Sequence, residues 1–159
     1  MSFLVQLIYL LSLAIWLGGI VFFSFFTTPS LFQAFQSSKE LAGQVLTLLF
    51  PRYYALGYIT EGLMLFATLM ESILQRQVPW IRILILLTML GCTVYAGQVL
   101  LPQVHDLKIQ IQAVDEHSEV SKDLKERFDR GHHFSVILNV IVLLSAVVLV
   151  TIVAYRLRL

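Results

Sequence analysis

Charge is what this sequence has least of. Charged residues make up 13% of its 159 positions, against 58% hydrophobic ones, and the mean hydropathy is +0.82. A soluble domain of this size carries roughly a quarter charged residues. The apolar excess must therefore face lipid rather than water. The 11 Lys and Arg and 10 Asp and Glu nearly cancel, which leaves no basic patch for a nucleic-acid partner. The single cysteine, Cys92, lies inside an apolar run. It excludes an intrachain disulfide and a cysteine-based metal site, and reads as a small buried hydrophobe. No charged side chain occurs before Lys39. A secretory leader would want a basic start and a short apolar core, so the first apolar stretch is expected to be a retained span.

The length suits a single integral membrane domain over residues 1–159. A helix needs about 20 apolar residues to cross the hydrocarbon core, and four stretches meet that need, at about 3–27, 54–74, 80–101 and 133–155. Pro29 and Pro102 are expected to end the first and third. The turn Gln75-Arg76-Gln77 with Pro79 separates the second from the third, which opens on Trp80, an aromatic suited to the membrane interface. Residues 32–50 mix Phe35, Leu41, Val45, Leu48 and Leu49 with Gln36, Lys39, Glu40 and Gln44, the pattern of an interfacial amphipathic helix. In the charge-rich stretch 103–130, Val104, Leu107, Ile111 and Val114, then Leu124 and Phe128, recur at three- and four-residue spacing. They predict an extramembrane helical hairpin that turns near Glu116 to Ser118. An interfacial helix followed by a loop is the alternative. The expected fold is thus all-α: a four-helix transmembrane bundle with an interfacial helix after span 1 and a hairpin between spans 3 and 4.

Both termini fall on one side, with Arg76, Arg82, Arg156 and Arg158 at span ends and Glu71 as the nearby acid. The other side holds more basic residues, scattered among carboxylates. The orientation rule counts Lys and Arg close to span ends; on that basis both termini are read as cytoplasmic, in a bacterial inner or other prokaryotic membrane.

Polar groups at depth are the places to look for chemistry. Glu61 lies about seven residues inside span 2, roughly 10 Å deep at the helical rise. It is either a ligand-binding or proton-handling group, or a hydrogen-bonding member of the packing. His132, Ser135 and Asn139 share one face of span 4. Gln98 and Tyr95 stand at the matching end of span 3, and Trp16 sits mid-span in span 1 beside Gly18 and Gly19, which allow close helix approach. Because alternate spans run in opposite directions, Trp16, Glu61, Gln98, His132 and Asn139 fall in the same bilayer half. That convergence suits a ligand site and equally a polar packing layer. His132 and His133 point about 100° apart and cannot easily hold one ion together, so a single axial haem histidine is the most that the region offers. Phe22, Phe23, Phe25 and Phe26 read as lipid-facing bulk. No nucleophile with a base and no phosphate loop is visible.

The run Trp16-Leu17-Gly18-Gly19-Ile20-Val21-Phe22-Phe23 with Pro29-Ser30-Leu31-Phe32 resembles the first helix of domain-of-unknown-function family 4149. That family is similar to transmembrane-protein-205-like proteins and to the copper-resistance-D-like membrane superfamily. Phe50-Pro51-Arg52-Tyr53-Tyr54 forms a second matching block. Arg127-Phe128 with His132, Ser135, Leu138 and Asn139 forms a third. The resemblance implies a compact four-helix membrane protein without a settled activity, and points to haem or copper as the cofactors of the wider group. It adds Arg52 to the candidate ligand-binding residues and makes His132 rather than His133 the candidate metal ligand.

The sequence therefore reads as a multi-pass membrane protein, more a binding protein than an enzyme. It would bind a small ligand, metal or haem within the bundle in a transport or homeostasis role. A structural or assembly subunit, or a haem-dependent membrane oxidoreductase, is the alternative. The lipid bilayer is the expected partner, with a second copy or a membrane complex beside it and no nucleic acid.

Overall fold

The computed structural model describes residues 3–114 and 118–156, and among these it is all-helical. Helix α1 (Phe3–Val21) runs into a π-helical stretch, Phe22–Thr27, and then into α2 (Thr28–Ala34). Helix α3 covers Lys39–Gln75, and α4 covers Trp80–Tyr95. A second π-helical stretch, Ala96–Leu100, leads from α4 into α5 (Leu101–Ala113), and α6 covers Glu119–Arg156. Among the described residues, the helices long and apolar enough to cross a membrane are Phe3–Ala34, Trp80–Ala113 and Glu119–Tyr155. The apolar stretch of α3 is interrupted by Glu61 and Glu71.

Two expected stops are absent. Proline lacks an amide hydrogen and its ring collides with the carbonyl four residues back, yet the helix continues through Pro29 and Pro102. In each case the preceding turn widens. The Thr28 amide reaches back to the Phe23 carbonyl and the Leu101 amide to that of Ala96, bonds of π-helical span. The Thr28 hydroxyl also donates to the Phe23 carbonyl at 3.0 Å. In an apolar setting an unsatisfied backbone group is costly, and a wider turn costs less than a break.

The segment 32–50 is not a separate interfacial helix. Its first residues end α2, a turn follows, and Lys39 onwards belongs to the 37-residue α3, which runs through Pro51. Along this part Ala42 and Leu46 are buried, whereas Leu48 is 72% exposed. The chain breaks at Arg76, whose left-handed φ of 53° ends α3.

Helix α1 packs on α3 and α6, and α4 packs on the same two. Their shared core includes Leu13, Trp16, Ile20, Met64, Leu86, Met89, Ala146 and Leu149. Phe22, Phe25 and Phe26 face outwards at about 60% exposure. Phe23 instead turns in, stacked 4.6 Å from Tyr53. Helix α5 lies along α6, with Val104 against Gly131. Leu124 is buried, and Leu107, Ile111 and Phe128 are half-buried. The expected turn at residues 116–117 falls outside the described residues.

Candidate functional site

Glu61 is fully buried, on the face of α3 that also presents Gly57, Thr60, Met64 and Thr68. The Trp16 indole donates to its Oε1 at 2.7 Å, and the Thr93 hydroxyl donates to the same oxygen at 2.9 Å. Oε2 has no hydrogen-bond partner among the described residues. One oxygen is therefore held from two other helices while the second is open, at a depth where an unmatched polar atom is expensive.

Backbone shape explains how Trp16 reaches Glu61. A β-carbon at Gly57 would lie 2.6 Å and 2.8 Å from the indole ring and 3.0 Å from the Thr93 methyl group. Glycine there lets the ring rest on α3 one turn before Glu61. Gly97 does the same for the tyrosines: a β-carbon would lie 2.1 Å from the Tyr58 hydroxyl oxygen and 2.8 Å from Tyr54 Cγ. The close approaches thus occur at Gly57 and Gly97. Gly18, expected to allow one, has open space, and a β-carbon at Gly19 would meet Leu56 at 3.3 Å and Trp16 at 3.9 Å, ordinary or near-ordinary contacts. Gly57→Ala and Gly97→Ala should each cost about 1–3 kcal/mol through overpacking, read as a lowered thermal midpoint in detergent. A change within about 0.5 kcal/mol, the level of an ordinary surface substitution, would show that these rings are loosely packed.

Beyond Glu61 the polar groups continue towards the α3 start. The Tyr53 hydroxyl donates to Asn139 Oδ1 at 2.6 Å, and the Asn139 amide donates to Ser24 Oγ at 2.9 Å. Ser135 stands beside Tyr54, and Gln98 donates to the Tyr58 hydroxyl at 3.1 Å. Ser24 and Gln98 both lie in the π-helical stretches. A cavity of about 10 Å³ sits here, lined by residues including Trp16, Tyr53, Thr93, Cys92 and Asn139. It offers about the room a single water needs.

The structure thus places Trp16, Glu61, Ser135, Asn139 and Gln98 in one polar region. Arg52 and His132 are exposed and stand outside these bonds; His132 stacks on Phe128. Thr93, Tyr53, Tyr58 and Ser24 complete the region; Tyr53 stands in the Phe50-Pro51-Arg52-Tyr53-Tyr54 block of the resemblance, whereas Thr93, Tyr58 and Ser24 carry no sequence signal of their own, being ordinary residues in apolar helices. A porphyrin is far larger than this one-water cavity, and His132 is not among the residues that line it. Among the described residues no three His, Cys, Asp or Glu side chains gather to hold a metal ion.

A second polar contact lies towards the other end of α3. Arg82 and Glu71 form a buried ion pair, each side chain 7% exposed, and the guanidinium lies 5.0 Å over the Tyr9 ring. Arg82, counted from the sequence among the orientation-setting cations, is therefore an interior group.

No curated protein and no solved structure matches the chain. The model of the family described as "Domain of unknown function (DUF4149)" matches residues 11–113, nearly two thirds of the sequence, and the chain belongs to that family.

Proposed function

We propose that this protein is a four-helix transmembrane bundle of α1, α3, α4 and α6 that binds a small ligand, in the first instance a proton, at Glu61, in a transport or homeostasis role. The α5–α6 hairpin projects from the membrane at one end, and both termini lie at the cytoplasmic face. The observation that supports this reading is the carboxylate itself: fully buried, fixed through one oxygen by Trp16 and Thr93, and open at the other. Intramembrane ionisable groups are costly and mark ion or proton pathways. The adjoining cavity of about 10 Å³ limits the occupant to something no larger than a water.

The indole bonded to Glu61 is also its reporter. Trp80, the other tryptophan, is 72% exposed, and a Trp80→Phe variant leaves Trp16 as the sole emitter. Trp16 emission in vesicles should follow a sigmoidal pH response that Glu61→Gln abolishes. A response that persists in Glu61→Gln, or a flat profile in both, would reduce the polar layer to helix packing.

A further inference from the structure

The Glu71–Arg82 pair plays no part in holding Glu61, yet its surroundings differ from those of a buried structural salt bridge. Arg82 Nε is buried with no hydrogen-bond partner among the described residues, so the pair leaves a donor of a desolvated cation unsatisfied. Beside it, at the α3–α4 turn, lies a cavity of about 110 Å³ lined by Glu71, Gln75, Gln77, Val78 and Pro79. Gln75 and Gln77 are exposed, so this cavity meets the outside and Glu71 forms its inner wall. At roughly 10–15 Å³ per water it has room for several.

Between the pair and Glu61 the interior is apolar and closely packed. Met64, Leu86 and Met89 are 0–1% exposed, and Ala67 is 2% exposed. Thr68, also fully buried, spends its hydroxyl on the Met64 carbonyl. On the other side of Glu61 lie the bonded pair Tyr53–Asn139 and the Tyr58 hydroxyl, which accepts from the exposed Gln98. Glu61 therefore has a polar approach from one end and an apolar plug, closed by an ion pair, at the other.

We infer that Glu71 and Arg82, with Tyr9 over the guanidinium, form a gate: paired, they close the α3–α4 end of the bundle, and separated, they admit water to the Met64–Leu86–Met89 plug. The inference rests on the reading of Glu61 as the binding site. The physical basis is the near balance of a buried pair, whose mutual attraction barely offsets its lost hydration. Separation exposes Glu71 to the cavity it lines and lets water entering from there reach Arg82 and its idle Nε. A closed state favoured by a few kcal/mol leaves an open one of roughly 0.1–10%.

The test is thiol access at Met89. In a Cys92→Ser background, Met89→Cys is reconstituted in vesicles and exposed to a charged, membrane-impermeant thiosulfonate from each side. With the pair intact, labelling should be slow from both sides. With Glu71→Gln it should rise about tenfold or more from the α3–α4 side alone, the gain available when a minor open state becomes dominant. The exchange Glu71→Arg with Arg82→Glu should restore slow labelling. Where Glu71→Gln does not fold, Tyr9→Leu, which removes the ring over Arg82, serves as the opening variant. Fast labelling with the pair intact, or an unchanged rate in the folded opening variant, overturns the gate. Labelling reads access and not ionisation, so a silent Glu61 leaves its outcome unaltered and the two failures are told apart.

Discussion

Glu71→Ala should lower stability by about 3–5 kcal/mol, the cost of leaving one member of a buried ion pair without its counter-charge. Arg82 would be left 6% exposed, with the Tyr9 ring over it and no nearby carboxylate among its bonds. Arg82→Ala should cost a similar amount by abandoning Glu71. Replacing both by apolar residues of comparable size, Glu71→Leu with Arg82→Met, should recover most of the loss. A buried pair exchanged whole for packed hydrocarbon is often neutral or stabilising. The measurement is equilibrium unfolding in mixed micelles for the singles and the double. Single losses below about 1 kcal/mol, the range of exposed pairs, would mean that water already reaches both groups. Because the pair joins α3 to α4 and touches α1, the singles should also loosen the turn at Gln75 to Pro79, which proteolysis there would reveal.

How far the sequence foretold this arrangement depends on which signal each residue carries. Apolar runs announce helices in lipid without help from tertiary context, since the backbone has no other way to satisfy itself. The α5 and α6 pattern at Val104, Leu107, Ile111, Leu124 and Phe128 likewise survived, because its spacing is a property of the helix alone. Trp16, Glu61 and Asn139 stood out as polar groups in apolar surroundings. Their partners did not: Thr93 and Ser24 are common in membrane helices, and their importance comes from the neighbour they meet. The same holds for the glycines. Gly57 matters and Gly18 does not because Trp16 projects onto one and nothing onto the other, a fact of facing surfaces rather than of spacing. Pro29 and Pro102 misled for another reason: a proline signals the loss of one bond, and whether the chain breaks or widens depends on the cost of exposing the neighbouring backbone. Arg82 misled because nearness to a span end does not say which way the helix faces.

The largest effect at the candidate site itself should come from Trp16. Its side chain is 1% exposed, rests on Gly57, lies 5.2 Å from the Tyr53 ring and holds Glu61. Trp16→Ala removes all of these at once and should cost about 3–5 kcal/mol, the range for a large aromatic lost from a core. Trp16→Phe keeps most of the packing and deletes the indole donor, so its smaller loss isolates the bond to the carboxylate. A hydrogen bond to a charged group contributes about 1.5–3 kcal/mol. A double-mutant cycle of Trp16→Phe with Glu61→Leu should return a coupling of that order. Coupling near zero would mean that the indole and the carboxylate are neighbours without a shared bond. Infrared difference spectra across a pH step then separate packing from binding. If Glu61 exchanges a proton, its carboxyl band should move in Trp16→Phe, where a donor has been lost from Oε1. It should stay in place in Gly97→Ala, which disturbs the tyrosines and leaves both donors to Glu61 intact. A band equally sensitive to both substitutions would make Glu61 a sensor of bundle packing rather than a site in its own right.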